Sequence, residues 1–261
     1  MCTTRDKTVS PGRVHHGYDP CIQVEGHGPP LVLVPGLDGT GRLFYQQVPR
    51  LAQRFRVARY TLRDAARTME PLVDDLAAVI HTVAPQGEPV TLIGESFGGT
   101  LAMSFALARP DMVSALVVLN SFPYFLPQHR LHLAIAGLRV MPWGAMRLVR
   151  RLTAFRVHSR HTHRADLQRF LAETRQTTRV GYLNRLRVLT RVDLRERLRD
   201  IRVPTLFLAA DQDHLVPSVA QGTYMAARVP DATLRILHGH GHICLIAQNL
   251  DLERILAAWG H

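Results

Sequence analysis

Three short stretches of the chain hold residue types that could do covalent chemistry together. Gly94-Glu95-Ser96-Phe97-Gly98 sets a serine at the centre of a G-x-S-x-G pattern, after the apolar run Val90–Ile93 and before the Ala-rich run Thr100–Ala108. A strand, a tight turn and a helix in that order strain the serine backbone and lift its hydroxyl clear of the sheet. Bulky side chains two residues away on either side would clash, which is why glycine is needed at 94 and 98. The turn also puts the Phe97 N–H at a helix N-terminus, where an anionic oxygen is stabilised. A serine hydroxyl is a weak nucleophile. It needs a base, and the base needs an acid to orient it.

In this strand–turn–helix setting the acid and the base follow the serine in that order. Asp211 and Asp213 both follow the apolar run Thr205–Leu208, and the offset to Leu215-Val216-Pro217 favours Asp213. His238, His240 and His242 follow Leu234–Leu237, and only His242 has both a glycine before it and a helical stretch after it. Alternating histidines could share one face of a strand and hold a metal. The interleaved Gly239 and Gly241 read instead as a loop, no carboxylate is close in sequence, and no metal site is expected. Cys244 reads as a packed small hydrophobe rather than a nucleophile. Asp38-Gly39-Thr40-Gly41 has no following lysine, so it is not a phosphate-binding Walker loop.

The elements that must position these residues are short apolar strands alternating with helices. Leu31–Val34, Val57–Leu62, Val90–Ile93, Ala115–Leu119, Thr205–Leu208 and Leu234–Leu237 read as strands. Glu70–Ala84, Thr100–Ala108 and Ile246–Trp259 read as helices. Continuous apolar strands alternating with helices predict an α/β fold, a mostly parallel sheet covered on both faces. From Phe122 to Arg202 only helical pieces are found, roughly 131–139, 145–152, 166–177, 182–190 and 194–199. That segment reads as an inserted helical cap or lid (122–202) between two parts of one core (1–121 and 203–261). Ligands bind at the carboxyl edge that such a cap would cover.

Bulk properties narrow the reading. The 261 residues are 46% hydrophobic and 20% charged, a composition that makes a sizeable core and excludes collagen or low-complexity disorder. No stretch is long and apolar enough to predict a spanning helix, and no signal peptide is expected. Three cysteines, Cys2, Cys21 and Cys244, are too few for a disulfide framework; read as free thiols they fit a reducing cytoplasm. The net charge is +11, and Lys7 is the only lysine. Between Arg130 and Arg202 there are 18 arginines against 5 acids, while the rest of the chain is close to neutral. Such a segment attracts anionic partners, and arginines such as Arg147, Arg150 and Arg151 are expected to recruit them. No helix-turn-helix, zinc finger or RNA-binding motif accompanies the charge, so nucleic acid is not an expected partner.

Pro35-Gly36-Leu37 after the first apolar strand, the Gly94–Gly98 turn, Asp213 before Leu-Val-Pro and Gly241-His242 before the last helix together resemble the α/β-hydrolase fold superfamily. More narrowly, PGLDGTG (35–41) and GESFGG (94–99) resemble bacterial serine esterase-like hydrolases and the acyltransferase domain of plastid phytyl ester synthases. The resemblance implies Ser96 as nucleophile, Asp213 as acid, His242 as base, and the backbone amides of Leu37 and Phe97 as the oxyanion hole. It implies carboxylic ester hydrolysis through an acyl-enzyme, with no cofactor. Alternatives on the same machinery are an esterase or thioesterase acting on an acyl group carried by CoA or an acidic acyl carrier protein, and an acyltransferase to an alcohol. A basic binding protein on the same fold is the non-enzymatic alternative. Two departures are Pro35, where histidine is common, and Ala210, where glycine is usual; the Leu37 amide survives the first. Phe122, Tyr124 and Phe125, with Met141 and Trp143 of the cap, are candidates to line a substrate pocket.

Overall fold

The computed structural model describes residues 20–125, 127–146, 148–149, 151 and 158–260. Arg147 and Arg150 lie outside them, as does Cys2. The described strands are β1 (Gln23–Glu25), β2 (Pro30–Val34), β3 (Arg56–Arg59), β4 (Val90–Glu95), β5 (Val113–Leu119), β6 (Thr205–Ala210) and β7 (Ala232–Leu237). They form one seven-stranded sheet in the order β1-β3-β2-β4-β5-β6-β7. Only β1 runs antiparallel; every other neighbouring pair is parallel.

A parallel sheet must be covered on both faces, because its crossovers are helices. The strands show it residue by residue. Val32 and Val34 point into one core with Leu92, Leu116, Val118 and Phe207. Their neighbours Leu31 and Leu33 point into the other with Ile93, Val117, Leu119, Leu206 and Leu208. The first face is covered by α2 (Glu70–Val83), α3 (Phe97–Ala108) and α7 (Ser218–Ala226). The second is covered by α1 (Val48–Leu51) and α8 (Leu252–Trp259).

Between β5 and β6 the described regular elements are helices, apart from one isolated bridge at His158: α4 (Gln128–Val140), α5 (Arg164–Glu173) and α6 (Arg179–Leu189), with 3-10 turns at Trp143–Ala145, Thr174–Gln176 and Arg195–Asp200. This segment touches the loops that follow the strands. The Tyr45 hydroxyl and the Gln46 amide hold Asp166 of α5 at 3.4 and 2.6 Å. Burial, together with the Asp166 charge, pushes the Tyr45 phenol upward. His158 bridges to Ile243, just past β7.

Three expectations need correction. The second strand ends at Arg59 rather than Leu62, and the Leu62 N–H is taken by Gly39 O, across the loop after β2. The closing helix starts at Leu252, capped by Asp251, whose carboxylate accepts from Arg254 N–H. Cys244–Ile246 before it is a buried 3-10 turn, so its apolar residues reflect burial rather than helix. Cys21 is disulfide-bonded, which removes the free-thiol argument for a reducing compartment. Cys244 is free and buried, and burial pushes its thiol far above the ordinary value. Among the described residues no helix is long and apolar enough to cross a membrane.

Candidate active site

Ser96 stands between the end of β4 and the start of α3, at φ 55° and ψ −121°. A non-glycine residue held at positive φ is strained, and the surroundings must over-determine it. They do. Ser96 N–H donates to Leu119 O at 2.9 Å, Ser96 O accepts from Gly99 N–H at 3.0 Å, and the Ser121 hydroxyl donates to Ser96 O at 2.6 Å. The turn is too tight for larger neighbours. A Cβ on Gly94 would strike the Gly98 carbonyl, and one on Gly98 would strike the carbonyls of Val34 and Pro35.

His242 lies in the loop after β7, buried, with its ring between Ser96 and Asp213. Nδ1 is 2.7 Å from Asp213 Oδ2 and Nε2 is 3.0 Å from Ser96 Oγ. A carboxylate can only accept, so the ring proton sits on Nδ1 and Nε2 is left to accept from the serine hydroxyl. Burial works against a charged ring, but the hydrogen bond and charge of Asp213 outweigh it, helped by Glu95, and His242 is raised above its ordinary 6.5. Burial likewise opposes ionised Asp213, yet His242, the Ser218 hydroxyl and the Val216 amide hold its carboxyl below the ordinary range. Asp213 Oδ1 accepts from Leu215 N–H and Val216 N–H, each at 2.9 Å. Those two bonds explain why the carboxylate is tied to the Leu-Val-Pro offset.

The rival residues are paired elsewhere. Asp211 accepts from His238 at 3.0 Å and from Gly239 N–H at 2.8 Å. His240 turns to Ser159 Oγ at 2.9 Å, with His161 beside it at a ring distance of 5.3 Å, and burial lowers it. The three alternate histidines therefore face three different partners. Phe122 and Phe125 meet edge to face at 5.1 Å, and with Tyr124 they line a small depression against Leu215–Pro217 and Gln221 of the Asp213 loop. Trp143 packs on Tyr182 of α6 at 6.3 Å, and Met141 joins the first core with it. These two are not part of the depression that the three aromatic residues line. Leu37 stands in the loop after β2, and Phe97 opens α3.

Two residues at the site were passed over in the sequence. Glu95 is buried beside Ser96, its Oε1 3.7 Å from His242 Nε2. Burial raises its carboxyl to about 7; the His242 charge pulls it down, and the Asp38 and Asp213 charges push it up. Asn120, at φ 46°, joins three loops. Its Oδ1 accepts from Ala210 N–H at 2.8 Å, and its Nδ2 donates to His242 O at 3.0 Å and to Gly241 O at 3.3 Å. It thereby braces the end of β6, which leads to Asp213, against the loop that carries His242. Its place directly after the apolar strand β5 is the one local signal for it.

A serine on a strained turn at the carboxyl edge of a parallel sheet, with a histidine and a carboxylate from the last two strand ends, defines an α/β-hydrolase. The chain belongs to the Hydrolase_4 family, described as serine aminopeptidase S33, whose pattern it matches over residues 61–248. It is similar to a protein of Serratia proteamaculans named as a candidate carbamate hydrolase, RutD: 29% identical, covering 88% of this chain and 90% of that one. A hydrolase from Pseudomonas aeruginosa shares the fold at a TM-score of 0.81 and 23% identity, covering 92% of this chain and 94% of that one. An esterase from Exiguobacterium antarcticum does so at 0.81 and 18%, covering 91% and 94%. The protein is a hydrolase of this fold.

Proposed function

We propose that the protein cleaves carboxylic esters through an acyl-enzyme on Ser96. The observation that carries the reading is the continuous line Ser96 Oγ, His242, Asp213, at 3.0 and 2.7 Å. In this reading His242 Nε2 takes the hydroxyl proton as Ser96 Oγ attacks the carbonyl carbon. Asp213 holds the ring and stabilises the imidazolium. The amides of Leu37 and Phe97 receive the oxyanion, each donor contributing about 3 kcal/mol to the transition state. The imidazolium then protonates the leaving alcohol, and a water activated by the same ring releases the acid. Phe122, Tyr124 and Phe125 border the acyl side. Residues 122–202 act as the cap on a core of 1–121 and 203–261.

A second reading has one observation of its own: the relative named as a candidate carbamate hydrolase matches over 88% of this chain. The same line of groups can attack a carbamate carbonyl, and the nitrogen lone pair then slows release of the carbamoyl-serine. No observation favours an acidic acyl carrier protein. Several arginines of the basic segment already have partners within the fold, among them Arg169 with Glu173, Arg195 with Asp193, Arg197 with Asp200 and Arg187 with Asn184.

Steady-state turnover of p-nitrophenyl acetate, butyrate and octanoate beside p-nitrophenyl N-methylcarbamate separates the two. Sustained turnover of an ester with a single slow burst on the carbamate is the expected result. Sustained turnover of the carbamate with none of any ester overturns the ester reading in favour of the second.

A further inference from the structure

Among the described residues, Arg185 of α6 is the largest of the fully buried side chains, at 1% exposure. Arginine is almost never buried so completely unless its charge and donors are used. Here Nε donates to Leu37 O at 2.9 Å, Nη2 donates to Asp38 O at 3.1 Å, and Nη1 meets Asp64 Oδ1 at 3.2 Å. Asp64 is itself fastened to α6. The Thr178 hydroxyl donates to its carboxylate at 2.6 Å, and Asn184 Nδ2 donates to its carbonyl at 2.8 Å. The helix is thus anchored on Asp64, and its arginine reaches on to the loop after β2.

That loop is shaped to the guanidinium. Gly39 has φ 71°, and a Cβ there would stand 2.5 to 2.6 Å from the guanidinium carbon and both its terminal nitrogens. Gly39 N–H donates to Gly36 O at 3.0 Å, closing a turn over residues 36–39. Gly36 C=O and Leu37 N–H belong to one planar peptide and point in opposite directions. Fixing the first aims the second. Arg185 holds the turn from outside, through Leu37 O, Asp38 O and the face of Gly39.

We propose that Arg185 is a positioning residue for the oxyanion hole: reaching from α6, it locks the 36–39 turn and so aims the Leu37 N–H. This rests on the acyl-enzyme reading, in which that amide receives the oxyanion. It makes docking of α6 a condition of catalysis. A hydrophobic side chain of similar size would fill the space as well, but it would leave both carbonyls unheld.

The test compares wild type, Arg185→Met, Arg185→Lys and Gly39→Ala in the full chain. It reads kcat and KM on p-nitrophenyl butyrate, the Ki of phenylboronic acid, and thermal unfolding. The tetrahedral boronate adduct places an oxygen where the oxyanion forms, so its Ki reports the hole. Arg185→Met is expected to lose roughly 10²-fold in kcat, the loss seen when one oxyanion donor is removed, with KM little changed. Its boronate Ki should rise in parallel, and Arg185→Lys should fall between. Gly39→Ala keeps the arginine but pushes it off, and should show the same signature. If Arg185→Met does not fold, Arg185→Lys carries the test on the same criterion. A folded Arg185 variant that keeps wild-type kcat, or loses stability while kcat and boronate Ki stay as in wild type, overturns the proposal. A wild type that neither turns over the ester nor binds phenylboronic acid overturns the acyl-enzyme reading, and this one with it.

Discussion

Two aspartate–histidine pairs stand in the same two loops. Asp211 meets His238 at 3.0 Å and Asp213 meets His242 at 2.7 Å. The residue types, the strands before them and the pairing are alike. Their surroundings are not. His238 is 83% exposed and Asp211 27%, whereas His242 is 6% exposed and Asp213 0%. An exposed pair is screened by water and contributes little. In the buried pair, each aspartate oxygen has backbone or side-chain donors, and the second ring nitrogen has a serine hydroxyl to work on. Only the inner pair is dry, oriented and in reach of a third group, the arrangement that the proposed chemistry needs.

The sharpest break of this comparison is by substitution. His242→Ala and Asp213→Asn are each expected to lower kcat/KM on p-nitrophenyl butyrate by about 10³- to 10⁴-fold, as in other serine–histidine–aspartate sites. His238→Ala and Asp211→Asn should stay within a few fold of wild type. If the outer pair proved the disabling one, the assignment of acid and base would be shifted within these loops.

A smaller effect is expected in the pH profile. His242 must be neutral to take the serine proton, so kcat/KM falls as pH drops through its pKa. That pKa is raised, so the acid limb should have its midpoint above 6.5. Asp213 and Glu95 both raise it; removing either negative charge lets the ring lose its proton at lower pH. The acid limb of Glu95→Gln is therefore expected to move to lower pH, and that of Asp213→Asn to do so on its residual activity. An acid limb that stays in place in both variants would mean that His242 does not set it.

The legible part of the molecule was the part written locally. Strands β2, β4, β5 and β6 are built on buried apolar runs that mark their positions, whereas the edge strand β7 is half-buried and carries Thr233 and Arg235 among its apolar residues. Strand β1 is three residues without a period, and nothing local marks it. Ser96, Asp213 and His242 each carry a local mark: flanking glycines, the Leu-Val-Pro offset, the glycine before the ring. Arg185 carries none, being one of 18 arginines in its segment, and its partners Asp64, Leu37 and Asp38 lie 121, 148 and 147 residues away. Asn120 resembles any polar residue at a strand end until the loops it joins are in place. Glu95 occupies a position where the pattern accepts any residue, so its burial against His242 could come only from the packing.

The central claim is that Ser96 is the nucleophile, and labelling tests it directly. Wild-type protein treated with a p-nitrophenyl alkylphosphonate and digested for mass spectrometry should carry one phosphonyl group, on the peptide containing Ser96, as ester hydrolysis is lost in proportion. Ser96→Ala should take up no label and turn over no ester, and His242→Ala should label far more slowly. Stoichiometric label on another residue, or full ester turnover by protein whose Ser96 is blocked, would contradict the account.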